Sequence, residues 1–208
     1  MFDMKDLGAA NFILGMQIKR DHKERKLWLG QEKYINKILK KFHMDECKPV
    51  GTPMPTGTKL SVEQCPKTDE EAEEMARVPY ANVVGSLMYA MICTRPDIAH
   101  AVRVLSRYMS NPGKEHWTAI KRVFRYLRGT SKLSLCFEGE EGGKTLDIVG
   151  HVDADWGGDI NSRQSTSGYV FTLFGGAGWM SKRQSVVALY STEAEYMPLT
   201  HYKKSDLW

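Results

Sequence analysis

Two stretches of the chain pair carboxylates one residue apart: HVDADWGGD at 151–159 and STEAEY at 191–196. Side chains alternate along an extended segment, so Asp153 and Asp155 fall on one strand face. Like charges so close are unfavourable unless water or a cation neutralises them. Three chemistries compete. A calcium loop would put Asp153, Asp155 and Asp159 at its first, third and seventh positions and Gly158 at its sixth. It fails at Gly157, the fifth, at Gln164, the twelfth, where a bidentate glutamate is required, and in having no helix before it. Exposure at a strand end is the second. The third is a hard-metal site for phosphodiester chemistry, where magnesium takes a few carboxylates from several elements together with substrate phosphate.

STEAEY offers such a second element. Thr192 and Glu195 fit the S/T-x-x-E capping box, so Glu195 could simply close a helix N-terminus. Glu193 would sit favourably near the positive end of that helix with no catalytic duty. Each glutamate therefore has a local explanation as well as a chemical one.

The elements that must position these acids follow from the spacing of apolar residues. NFILGMQIKRD and KLWLG read as two short strands of a hairpin around DHKERK. QEKYINKILKKF places Ile35, Ile38, Leu39 and Phe42 at helical spacing, with its lysines off that stripe. CKPVGTPMPTGTKL, with three prolines and two glycines, is an irregular crossing segment, and the acidic DEEAEEMA follows it. Pro79 and Pro96 suit helix first turns. Beyond them Tyr80, Val83, Val84, Leu87 and Met91 share one helical face, and Ile98, Val102, Leu105 and Met109 another. GKEHWTAIKRVFRYLRG turns Trp117, Ile120, Phe124 and Leu127 inward and ends at Gly129. Its Lys114, Lys121, Arg125 and Arg128 gather on an adjacent face, either a solvated helix surface or a contact for phosphates.

After Gly129 the texture becomes strand-like in LSLCFEG, LDIVGHVDADW, GYVFTLFGG and AGWMSKRQSVVAL, and a helix starts near Thr192. The expected fold is α+β, a mainly helical first part followed by a β-meander that enters a helix. The expected boundary is at 138/139, within EGEEGGKTL, giving units 1–138 and 139–208.

Bulk properties exclude several classes. At 42% hydrophobic and 26% charged over 208 residues, the chain can bury a core and is not disordered by composition. A net charge of +4 permits a polyanionic partner without requiring one. Cys47, Cys65, Cys93 and Cys136 form no CxxC pair, which suggests free thiols in a reducing compartment. The longest weakly polar run, VVGSLMYAMIC, is too short to cross a bilayer, and Asp3, Lys5 and Asp6 interrupt any signal sequence. An intracellular chain with no membrane role is expected.

In order along the chain, LGAANFILGMQI, LGQEKYINKILKKF, YANVVGSLMYAMICTRPDIAHAV, NPGKEHWTAIKRVFRYLRGT, VDADWGGD, RQSTSGYVF and WMSKRQSVVALYSTEAEY resemble the Pol polyprotein of plant Ty1/copia retrotransposons, of the Tnt1 type. The likeness runs from about residue 2 to about residue 199. It implies the thumb- and connection-like end of a reverse-transcriptase region, then the first half of a tethered RNase H-like domain. The chemistry implied is Mg2+-dependent hydrolysis of the RNA strand of an RNA–DNA hybrid. The family's catalytic, metal-binding acids fall on Asp153 and Glu195; Asp155 and Glu193 belong to its motif without an assigned metal. The helix carrying Lys114, Lys121, Arg125 and Arg128 would approach the hybrid's phosphates. The compartment implied is cytoplasmic virus-like particles or the nucleus.

This sequence departs from the pattern. It contains no Tyr-x-Asp-Asp polymerase signature, and the family's later RNase H aspartate lies beyond its last residue. Tyr190 replaces the usual serine before STEAEY, and Pro198 stands at an alanine-like position inside the helix, where it should cost about 3 kcal/mol. The expectation is a Pol fragment that is catalytically inactive as it stands, with Asp153 and Glu195 holding at most one magnesium weakly. A retained nucleic-acid-binding module is the alternative. A partner of full-length Pol chains is another, because a half-built sheet would leave an open edge.

Overall fold

Gly113 shows how closely the first part is packed. A Cβ there would collide with the backbone carbonyl of Gln64, so only glycine lets the start of one helix lie against the 3-10 turn Val62–Gln64. In the computed structural model, which describes residues 8–139, 148–173 and 176–205, that helix is the longest element of a helical core. In chain order the core holds α1 (Glu32–Lys41), α3 (Tyr80–Cys93), α4 (Ala99–Ser106) and α5 (Lys114–Gly129), while the short α2 (Asp69–Ala76) lies outside it. The predicted stripes are where the burial is: Ile35, Ile38 and Leu39 on α1, Tyr80 through Met91 on α3, and Ile120, Val123, Phe124 and Leu127 on α5. Truncating a fully buried aromatic such as Phe124 to alanine should cost about 3–5 kcal/mol. Met109 departs from its expected face and is 40% exposed, because α4 ends at Ser106 and the chain has already turned.

Two antiparallel sheets flank this core. The first runs β1 (Phe12–Ile13), β2 (Met16–Asp21), β3 (Lys26–Gly30) and β4 (Ser134–Glu138), in that spatial order. The predicted hairpin is present as β2–β3, and its first strand is interrupted at Leu14 and Gly15, both at positive φ. LSLCFEG does not begin the later meander. Its strand β4 pairs with β3, Trp28 opposite Cys136, and so closes the first part. The "mainly helical" first part is therefore mixed, because hydrogen bonds of the β3 edge are met by a strand about a hundred residues downstream. The second sheet is β5 (Val149–Ala154), β6 (Thr166–Leu173) and β7 (Gly176–Arg183), and α6 (Ser191–Ser205) packs on β5 and β6. Most of the expected boundary stretch, at 140–147, lies outside the described residues. SVVAL, expected as strand, is an irregular connection with Val186, Val187 and Leu189 exposed. Among the described residues no helix is long and apolar enough to cross a membrane, and all four cysteines are free.

The two parts meet along a polar seam. Asp159, 3% exposed, takes Arg107, which follows the last residue of α4, at 3.6 Å and Arg183 from the end of β7 at 3.0 Å. The Asn161 carboxamide accepts from the Val62 amide and donates to the Tyr108 hydroxyl. The indole of Trp179 donates to the Met91 carbonyl at 3.1 Å, the last turn of α3.

His116 fixes the start of α5. Its Nδ1 accepts from the Gly113 amide at 2.9 Å, which leaves the proton on Nε2, facing the Ser61 carbonyl at 3.2 Å. The ring is fully buried and stacks on Tyr108 at 3.9 Å. Burial depresses the imidazole's proton affinity. The unfolded chain then binds more protons, so stability falls as pH drops from about 6.5 through the depressed folded value, by at most about 1.4 kcal/mol per pH unit. Urea unfolding at pH 7.5 and 5 should show this loss, and His116→Gln should shrink it.

Candidate functional site

The two acidic pairs divide in the same way. β5 ends at Ala154, and Asp155 begins a loop that its own carboxylate organises: Oδ1 accepts from the Thr166 amide while the Asp155 amide donates to the Thr166 carbonyl. A Cβ on Gly158 would land on the Asp155 carboxylate, so a larger residue there would push that carboxylate off the Thr166 amide. Asp159 is committed to the two arginines and to the Ser162 hydroxyl; burial works against its charge, yet these donors hold it below the usual carboxylate range. Asp153, by contrast, is exposed and has no hydrogen-bond or ion-pair partner among the described residues.

At α6 the expected Thr192–Glu195 capping box is absent. The helix opens at Ser191, so Thr192 already lies in the first turn. The Tyr190 carbonyl accepts the first helical bond from Ala194, and tyrosine has no side-chain oxygen positioned to cap. Glu193 takes that duty, its Oε2 accepting from the Leu189 amide at 2.7 Å. Glu195 is left exposed and unpaired among the described residues. Thus Asp155 and Glu193 build backbone, and Asp153 and Glu195 are unspent. Spacing could not have told the members of each pair apart, because the deciding partners are backbone groups whose positions depend on the tertiary fold.

Among the described residues, the pocket that Asp153 lines does not include Glu195. Asp153 stands across from Gly168, while the next pair, Ala154 and Ser167, lies on the opposite face. Ser167 Oγ and the Ala194 carbonyl of α6 both accept from the Gln184 amide, which puts α6 over the Ser167 row. Asp153 opens instead into a cleft of about 460 Å³ shared with Asp155, His151 and, from the helical part, Pro96 and His100. No group of three His, Cys, Asp or Glu side chains able to hold a metal ion occurs among the described residues. This donor set, as arranged, does not fit a magnesium centre.

The basic face of α5 is partly engaged. Lys114 pairs with Glu74 at 2.6 Å, a fully solvated contact of little energetic weight. Arg125 donates through Nε to the Lys48 carbonyl at 2.8 Å, where the proline-rich segment crosses the helix. Lys121 is half-buried and Arg128 exposed. Arg122, not singled out from the sequence, donates to Thr52 at 3.0 Å and lies on the same surface.

Over its full 208 residues the chain is 56% identical to the retrovirus-related Pol polyprotein from transposon TNT 1-94 of Nicotiana tabacum, of which it spans 15%. The Pol polyprotein from transposon RE2 of Arabidopsis thaliana is 37% identical over the same 208 residues, 14% of its length. The chain belongs to the Ty1/copia-type retrotransposon Pol polyproteins. A secreted RxLR effector protein, number 161, of Plasmopara viticola is 50% identical over 135 residues, 64% of this chain and 93% of that protein. No protein-family profile and no solved structure matches the chain.

Within this Pol segment Pro198 has a specific compensation. It does not stop α6, which continues to Ser205. A proline at 198 cannot donate to the carbonyl four residues back, that of Ala194. The Gln184 amide occupies that carbonyl at 2.8 Å. The expected cost of the proline is therefore reduced at its source. Gln184→Leu should destabilise the Pol segment by about 1–3 kcal/mol, since a buried carbonyl loses its donor. In a Pro198→Ala background the helix supplies its own N–H, and the same substitution should cost distinctly less. A double-mutant cycle by urea unfolding measures this coupling.

Proposed function

We propose that this Pol segment joins the thumb- and connection-like end of a reverse-transcriptase region, residues 1–138, to an RNase H-like unit, residues 139–208, and serves to hold an RNA–DNA hybrid. Asp153 and Glu195 are the acids it contributes to hybrid cleavage. The 208 residues alone do not cleave. The observation that carries this is the division of labour in the two motifs: each has one acid consumed by backbone and one left free, and the free pair is Asp153 and Glu195. Cleavage needs acids converging from several elements. The described residues bring no three such side chains together, which supports a centre completed only with other Pol polypeptide. Leu189, Tyr190 and Tyr196, near Glu195 in sequence, and Trp156, whose indole donates to the Ala188 carbonyl, are each more than 60% exposed and give that polypeptide apolar surface to cover.

Hybrid binding would rest on phosphate contacts from α5, chiefly Lys121, Arg125 and Arg128, with Lys114 freed by exchanging its solvated partner. Binding of a labelled RNA–DNA hybrid should weaken steeply with salt, and Arg125→Ala combined with Arg128→Ala should lower the log–log slope by about 2. A slope unchanged by the double substitution would remove α5 from the interface.

A further inference from the structure

The proline-rich segment does more than cross α5; between them lies a cavity of about 520 Å³. Its two walls differ in chemistry. From α5 come Lys121, Arg122 and Arg125, joined by Lys59 from the opposite strand of chain, against a single acid, Glu115. Met44, Met54 and Leu60 form the other wall, and all three pack on the helical core beneath. The cations are held in place: Arg125 by the Lys48 carbonyl and Arg122 by the Thr52 hydroxyl. Arg122 keeps further guanidinium donors beyond the Nη2 that reaches Thr52; its Nε is buried with no hydrogen-bond partner among the described residues.

A site of this kind asks for a ligand with anionic oxygens at one end and a flat apolar body at the other. A simple polyanion would leave the methionine wall unused, and an aliphatic acid would not need four cations. The volume falls in the range of small-molecule sites and accommodates one nucleotide. We infer that the cavity between α5 and the proline-rich segment binds a nucleotide, its phosphate on Lys121 and Arg122 and its base against Met54 and Leu60. This deepens the nucleic-acid assignment above and rests on it, since the nucleotide can be free or the end of a bound strand.

Calorimetric titration of the 208-residue protein at low salt tests this with adenosine monophosphate, adenosine and inorganic phosphate as separate probes. The nucleotide should bind at least tenfold more tightly than either fragment. Arg122→Lys, which keeps the charge and removes the planar guanidinium fork, should weaken it about tenfold. Met54→Glu should abolish it. Should Arg122→Lys disturb folding by circular dichroism, Lys59→Ala, at an exposed position, supplies the same comparison. A 5′-phosphorylated oligonucleotide competing with adenosine monophosphate identifies a strand end as occupant; competition by free nucleotides alone identifies the free molecule. Nucleotide affinity no better than that of phosphate, or indifference to Arg122→Lys, Lys59→Ala and Met54→Glu together, would overturn the proposal. Hybrid binding assayed in parallel separates the two claims. If it persists with its salt slope while the nucleotide fails to bind, the cavity assignment alone is lost; if it is absent while the nucleotide binds, the hybrid assignment is lost instead.

Discussion

Arg95→Met is expected to lower the unfolding free energy by about 2–3 kcal/mol, the range for losing charge-assisted hydrogen bonds of a buried guanidinium to a partly solvated carboxylate. Arg95 is 1% exposed, and three of its donor nitrogens are used. Nε and Nη2 grip the Asp97 carboxylate, at 2.9 and 2.6 Å, while Nη1 and Nη2 reach the Thr130 carbonyl and hydroxyl at 3.0 and 2.6 Å. The Tyr126 hydroxyl completes the carboxylate at 2.7 Å. This network ties the turn between α3 and α4 to the C-terminus of α5, just ahead of β4. Methionine fills much of the volume, so the loss reports mainly the stranded carboxylate and the Thr130 groups. Arg95→Met with Asp97→Leu should recover part of it, because an apolar pair leaves no unmatched charge. Burial opposes the charge of Asp97, but Arg95 and Tyr126 hold it below the usual carboxylate range, as the seam donors do for Asp159. Both contributions are present above the unfolded value of about 3.9 and are lost as pH falls through the lower folded values. Urea unfolding at neutral pH measures the first effect and its acid dependence the second.

The other large effect concerns chemistry. In a longer Pol polypeptide that cleaves RNA–DNA hybrid, Asp153→Asn or Glu195→Gln should slow cleavage about 10²–10⁴-fold, equivalent to roughly 3–5 kcal/mol of transition-state stabilisation. Neither should change the unfolding midpoint appreciably, since both side chains are exposed and unpaired among the described residues. Asp155→Ala should behave in the opposite sense. It strips the Thr166 amide of its acceptor and should destabilise by about 1–3 kcal/mol. Glu193→Ala removes only the cap at Leu189, and about 1 kcal/mol is expected. Equal effects on rate and stability across the four acids would contradict the division.

The helices were legible because their burial is local arithmetic. Ile35, Ile38 and Leu39, or Ile120, Phe124 and Leu127, recur at the period that any packed helix must show. What the sequence concealed was set by partners far along the chain. β4 reads as a member of the later meander until β3 claims it. SVVAL has strand composition but pairs with no strand among the described residues. DEEAEEMA, with Met75 alone buried, has no stripe to announce α2 and is helical through the Thr68 cap and its acidic first turn. At the candidate site, both acidic motifs could be recognised as motifs. Which acid of each was free depended on Thr166, Leu189 and Gly158, contacts that spacing does not encode.

The most direct test is cleavage of an RNA–DNA hybrid, labelled on its RNA, by the purified 208-residue chain with magnesium or manganese. The prediction is no cleavage above a buffer control while the same preparation binds the hybrid in a salt-dependent manner. Robust cleavage that disappears with Asp153→Asn would show that the chain assembles a complete centre by itself, and would contradict a centre that other Pol polypeptide must complete.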